Sequence, residues 1–307
     1  MATGEAVTSK NEQSKGEPAP ARLRARRRRS GTILNALRQA PLSAWFGLIV
    51  LAVYIAVALL APLIAPYGEA DVVSDEAFAA WSPEHWLGTD QLGRDLLSRL
   101  LYGARNSMGI ALLATALAFS AGSIIGTAAA LLRGWFDLAA SRLVDAAMAI
   151  PTLIFALMVL ATIGQPAAIH IILIIGFVDA TRVFRLSRAV AMNVVALDYI
   201  EVALLRGEKP GWIIFREIMP NIIPTLATEF GLRYCYVFLT ISALSFLGLG
   251  LQPPTADWGL MVRESASLIS YGDITPLIPA VAIAVLTISI NFIIDWILDR
   301  ASGPRHG

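Results

Sequence analysis

The chain has 307 residues, of which 56% are hydrophobic and 15% charged, with a formal net charge of +1 and a mean hydropathy of +0.65. That balance excludes an ordinary soluble domain, in which about a quarter of the residues are charged, and it gives no reason to expect a nucleic-acid partner. Cys235 is the only cysteine, which excludes an intrachain disulfide and reads as packing within an apolar stretch.

The first thirty residues are rich in Ser, Glu, Lys, Pro and Arg and almost devoid of large apolar side chains. They predict a disordered basic cytoplasmic tail over residues 1–40. The run Arg26–Arg29 reads as an anchor drawn to anionic membrane lipid, at about 1 kcal/mol per basic residue, in preference to a regulator site. Leu42–Pro66 then carries no charge and forms the first span, too long and too far from the start for a signal peptide.

The outer loop Tyr67–Arg105 mixes acids and bases. Within it, Asp95 and Arg99 stand four residues apart, as an ion pair on a helix whose other face shows Leu92, Leu96 and Leu100. Such a helix would rest on the membrane, with Gly88 and Gly93 setting its entry. Asn106–Leu132 is the second span. Its Gly122 and Gly126 offer a small face for close helix packing, read as intrasubunit in preference to a seam with another subunit.

Ala146–Val178 is uncharged but too long for one ordinary crossing, and Gly164-Gln165-Pro166 divides it into spans Ala146–Ile163 and Ala168–Arg188. From Asp198 to Asn221 runs a polar island. Its two short amphipathic stretches, separated by Gly207 and Pro210-Gly211, cannot cross a bilayer but can lie on its surface as a helix–turn–helix. Ile222 to about Leu247 forms a span interrupted by Glu229 and Arg233, and Ile274–Ile294 forms the last. The expected fold is therefore an all-α polytopic membrane protein with six transmembrane helices. The Lys and Arg distribution places both termini and the polar island in the cytoplasm.

No Gly-x-x-x-x-Gly-Lys-Ser/Thr loop occurs, so the chain has no recognisable means of holding ATP. His85, His170 and His306 are too scattered for a metal cluster, and His85, near Asp90 and Asp95, reads as a solvated loop histidine in preference to a ligand. No nucleophile elbow appears. An enzyme is not expected. What remains is a channel, a secondary transporter, or one subunit of a powered machine.

Three motifs choose among these. The island contains Glu201-Val202-Ala203, then Gly207, and ends on Ile218-Met219-Pro220. Before the second span runs His85-Trp86-Leu87-Gly88-Thr89-Asp90-Gln91-Leu92-Gly93-Arg94-Asp95, followed by Tyr102-Gly103-Ala104-Arg105. After the fifth come Leu244-Ser245-Phe246-Leu247-Gly248-Leu249-Gly250, Pro253-Pro254 and Asp257-Trp258-Gly259. Together they resemble the second permease subunit of dipeptide, oligopeptide and nickel ABC importers, over about Leu42 to Asp299. The island is similar to the EAA loop of that family, with Val202 in place of its usual alanine and Arg206 before its glycine. Ile241 stands where members commonly carry a glutamate.

The resemblance implies a core over 106–299 with its EAA loop at 198–221, preceded by a first helix and outer loop over 41–105 and followed by a tail over 300–307. It implies four kinds of partner: a homologous second permease, two ABC ATPases, an extracytoplasmic solute-binding protein and membrane lipid. ATP and Mg would be bound by the ATPases and no cofactor by this chain. Glu201, Ala203, Gly207, Ile218 and Pro220 become the ATPase-coupling residues, with small Ala203 permitting close approach of the partner. Glu229 and Arg233 are candidates for the solute pathway, with mutual pairing as the alternative. Gly248 and Gly250 are candidates for an outer gate, unless they simply end a helix. The solute would be a peptide or similar small molecule. The competing reading is a self-contained secondary transporter or channel working through Asp179, Glu229 and Arg233.

Overall fold

The computed structural model describes residues 40–301. The expected tails therefore fall, at residues 1–39 and 302–307, outside the described residues. Helix α1, Leu42–Ile64, presents Leu42, Ile49, Leu59 and Leu63 outward, the surface a lipid-facing helix needs. Its inner face is small. A Cβ on Gly47 would come 2.5 Å from the Ser289 carbonyl oxygen of the last helix, so the two backbones nearly touch.

Helix α2, Leu96–Leu132, is one rod of 37 residues, about 55 Å long at 1.5 Å per residue. It runs straight through the boundary expected at residues 105 and 106. The separate surface helix expected before the second span is absent: Leu92 lies outside α2, and Asp95 caps it by accepting from the Ser98 amide at 2.8 Å.

Helices α3, Gly134–Met148, and α4, Thr152–Ile163, meet at an 84° bend. The expected single span Ala146–Ile163 is thus broken at Pro151, because a proline disfavours helical geometry in the residue before it. With 12 residues, α4 reaches only ~18 Å, short of a ~30 Å hydrocarbon core.

Helix α5 is Ala168–Val195 and α6 is Asp198–Leu205. A helical turn, Pro210–Trp212, and a π-helical turn, Ile213–Ile218, lead into α7, Met219–Phe246. Trp258–Ser265 forms α8, followed by a 3-10 turn over Ala266–Tyr271 and by α9, Leu277–Ala301. Among the described residues α1, α2 and α9 are long and apolar enough to cross a membrane, or four elements if α3 and α4 make one bent span. Helices α5 and α7 have the length, 28 residues each, but carry charges in their interiors. Composition alone thus accounts for three or four of the six expected crossings.

Close approach organises the bundle. A Cβ on Gly122 would lie 2.6 Å from the Ala180 carbonyl oxygen and one on Gly126 2.2 Å from Ser187 Oγ, so the small face of α2 is filled by α5 of the same chain. Two apolar clusters follow. The first gathers Trp258, Phe238, Ile241, Leu244, Leu160 and Ile175. The second, at the polar island, gathers Ile200, Ala203, Ile213, Ile218, Ile222 and Val183.

Candidate coupling surface and buried charge networks

Helix α6 has two unlike faces. Ile200 and Ala203, three residues apart, are buried against the second cluster, whereas Val202 is 51% and Leu205 80% exposed. Asp198 and Glu201 lie in its first turn, where a helix favours negative charge. Gly207 ends it with a left-handed φ of +79°. Its amide donates to the Leu204 carbonyl at 3.0 Å, and the Glu208 amide to the Ala203 carbonyl at 3.2 Å. This double bond pattern satisfies the last carbonyls of the helix and favours glycine at the turn.

The return strokes of the island are wider than an α-helix. At Met219 the amide reaches back to the Ile214 carbonyl, the spacing of a π turn. Pro220 brings no N–H for an ordinary helical bond, and Pro224 lies one turn further on. The side chain of Asn221 donates to the Glu217 carbonyl at 2.6 Å and to the Tyr199 hydroxyl at 3.1 Å, tying α6 to the base of α7. Burial, and secondarily the Glu217 carboxylate, push the Tyr199 hydroxyl above the ordinary phenol range.

Of the five expected coupling residues, Glu201, Gly207 and Pro220 are exposed. Ala203, at 1% exposure, and Ile218, at 0%, are not. The small side chain of Ala203 lets α6 lie close to its own bundle, so the expected direct approach of a partner to this residue does not fit its position. Sequence reasoning passed over Asn221 and Tyr199, which sit at the ends of the island and bond to each other across it.

Glu229 and Arg233 pair at 2.8 Å on one face of α7. The pair extends further: Arg233 lies 3.7 Å from Asp179 of α5, which Arg182 also approaches at 3.3 Å. Arg182 in turn donates to Thr152 of α4 at 2.8 Å. Two acids and two bases thus join three helices near the midpoints of α5 and α7. Charges placed here avoid the cost of facing lipid, about 2.5–3.5 kcal/mol each.

The end of the bundle away from the polar island holds a second network, one that the sequence spacing misassigns. Arg99 is fully buried and does not pair with Asp95. It lies 3.2 Å from Asp90 and 3.4 Å from Glu264 of α8, and donates to the Glu69 and Pro254 carbonyls. Arg94 pairs with Asp90 at 2.7 Å and approaches Glu264 at 3.6 Å. Burial raises the Glu264 carboxyl above its usual range, against the opposing pull of Arg99 and then Arg94. Asp95 instead meets His85 Nδ1 at 3.3 Å. Among the described residues no group of three or more ligand side chains could hold a metal.

Gly248 and Gly250 lie beside this network. Gly248, at φ +89°, ends α7 with the hydrogen bonds seen at Gly207: its amide donates to Ser245 at 3.0 Å, and the Leu249 amide to Leu244 at 2.9 Å. A Cβ on Gly248 would lie 2.0 Å from the Arg263 guanidinium, and one on Gly250 2.4 Å from the Ser245 Cα. The geometry is that of a packed helix terminus.

Residues 121–302 match the family described as binding-protein-dependent transport system inner membrane component. Residues 37–80 match the N-terminal TM domain of oligopeptide transport permease C. The chain is 32% identical over 253 residues to the dipeptide transport system permease protein DppC of Alkalihalophilus pseudofirmus, covering 82% of this chain and 83% of that one. It is 32% identical to the glutathione transport system permease protein GsiD of Pectobacterium atrosepticum, over 82% of this chain and 84% of that one. A putative peptide transport system permease protein of Brucella suis is 35% identical, over 82% and 85% of the two chains.

Proposed function

This chain belongs to the binding-protein-dependent transport system inner membrane components, and on that premise we propose that it carries peptides or similar small solutes inward as one of two unlike permease subunits. It is a transport permease subunit of an ABC importer, not an enzyme. In the proposed assembly it pairs with a homologous permease, two ATPases and an extracytoplasmic binding protein, and spans the inner membrane six times with both termini cytoplasmic. Helices α5 and α7 and the bent pair α3–α4 supply the crossings that composition leaves uncounted. Asp179 and Arg182 of α5 and Glu229 and Arg233 of α7 pair within the bundle.

One observation carries the coupling role: α6 buries Ile200 and Ala203 while presenting Val202, Leu204 and Leu205 outward beside Glu201. An apolar face on a short helix outside the spans suits a protein partner. In the proposed cycle, ATP closes the ATPase dimer and draws the two permease loops together. Ile218, Asn221 and the π turn pass that motion into α7. The pathway then opens outward to accept solute, and hydrolysis resets it. Glu229 and Arg233 would border that pathway from within the paired network, and Gly248 and Gly250 would fix its outer rim.

The test is reconstitution into vesicles with the partner permease, the ATPases and the binding protein. Uptake of di- and tripeptides should require ATP and the binding protein. Uptake by this chain without ATPases, driven by an ion gradient, would favour the secondary transporter instead.

A further inference from the structure

Two cavities meet at Arg105 and Gly109. One, about 560 Å³, is an apolar groove lined by α1, α2, α7 and α9. The other, about 600 Å³, lies where the outer end of α2 faces the α4–α5 and α7–α8 connections, and its wall includes Asn106, Gln165, Gln252 and Thr255. Its volume falls in the range of small-molecule sites.

The chemistry of the second cavity is unbalanced. Unlike the neutralised Arg94 and Arg99, Arg105 is exposed and makes no hydrogen bond or ion pair with any described residue. The carboxamide nitrogen of Asn106 is used by Glu69 and the Ala256 carbonyl, both at 2.9 Å. That of Gln252 is used by the Gly248 and Gly250 carbonyls at 3.0 and 3.2 Å. Among the described residues no donor reaches the carboxamide oxygen of either half-buried side chain. The wall offers one guanidinium free of any described partner and, beside it, acceptors open to N–H groups.

We propose that this outer cleft recognises a small zwitterionic solute, its free carboxylate on Arg105 and its ammonium or amide N–H groups on Asn106 and Gln252. The inference rests on the solute-import reading above and names the chemical class it handles. A lipid phosphate on Arg105, with its chain in the apolar groove, is the competing occupant. It fits less well for a headgroup such as that of phosphatidylglycerol, which brings no N–H groups for the two carboxamide oxygens.

The experiment uses the complete transporter in phosphatidylcholine vesicles, whose headgroup has neither net charge nor N–H donors. Thr255→Cys, in a Cys235→Ser background, reports on the cleft through its rate of reaction with an impermeant thiol reagent. Alanylalanine in excess should slow labelling severalfold, alaninamide-capped dipeptide should not, and Arg105→Gln should abolish the difference while Arg105→Lys retains part of it. Equal protection by acid and amide, or no protection with Arg105 intact, would overturn the proposal. So would protection produced by adding phosphatidylglycerol in place of the dipeptide. ATP-driven uptake by the same vesicles separates the two readings. Protection without uptake would remove peptide import and leave the site, whereas uptake without protection would remove the site and leave import.

Discussion

The two ends of α7 share a device and differ in everything around it. Near the island end Gly207 closes α6, and at the far end Gly248 closes α7, with the same pair of backbone hydrogen bonds. Around Gly207 there is open space, and a Cβ there would meet nothing within 4 Å. Around Gly248 and Gly259 the chain is packed solid: a Cβ on Gly259 would lie 2.3 Å from the Ser242 carbonyl oxygen. Charge follows the same division. At the far end Arg94 and Arg99 are buried with Asp90 and Glu264, whereas Glu201 and Arg206 of the island stand in the open. The far end is built to hold one shape, and the island end to present a surface.

The largest expected effect comes from breaking the far-end network. Arg99→Met leaves Asp90 and Glu264 short of a buried partner, and removing one member of a buried pair costs about 3–5 kcal/mol. Thermal unfolding in detergent should show the loss, and assembly with the partner permease should fall with it. A variant as stable as the parent would show that the far end is not held by these charges.

Overpacking comes next. Gly259→Ala forces a methyl against backbone and should cost about 1–3 kcal/mol. Gly207→Ala meets only the left-handed backbone penalty, about 1 kcal/mol. Comparing the two melting temperatures sharpens the contrast, and equal losses would erase it. The smallest stability effect belongs to Leu205→Glu, a surface change within about 0.5 kcal/mol, which should nonetheless uncouple ATP hydrolysis from uptake. A Leu205→Glu transporter with normal uptake would break the comparison at its island side.

Much of this was legible in the chain. The first apolar segment, the turn at Gly164-Gln165-Pro166, the island and its glycine stop lie where composition and residue type put them. The Glu229–Arg233 pair follows from spacing on a helix. What failed were inferences that needed a distant partner or a closer look at proline. Asp95 and Arg99 have pairing spacing, yet Asp95 caps α2 and Arg99 turns to Glu264, 165 residues away. No local pattern encodes that choice. Pro151 was visible inside the third apolar segment and breaks it, leaving α4 short. Ile200 and Ala203, three apart, already mark the buried face of α6. Read that way, the sequence assigns Ala203 to the bundle and Leu205 to the surface. The widened turn before α7 depends on Pro220 and on Asn221 returning a bond to Glu217, a compensation visible only in three dimensions.

The ATPase is expected to engage the outward face of α6, and site-directed cross-linking tests this most directly. Single cysteines at Val202, Leu205, Ile200 and Ser267, in a Cys235→Ser background, are placed in the assembled transporter and treated with a short bifunctional thiol reagent. Val202→Cys and Leu205→Cys should cross-link to the ATPase with a yield that changes on adding ATP, while buried Ile200→Cys and outer Ser267→Cys should not. Cross-links to the ATPase from Ser267→Cys, or none from Val202→Cys and Leu205→Cys in a complex that hydrolyses ATP, would contradict it.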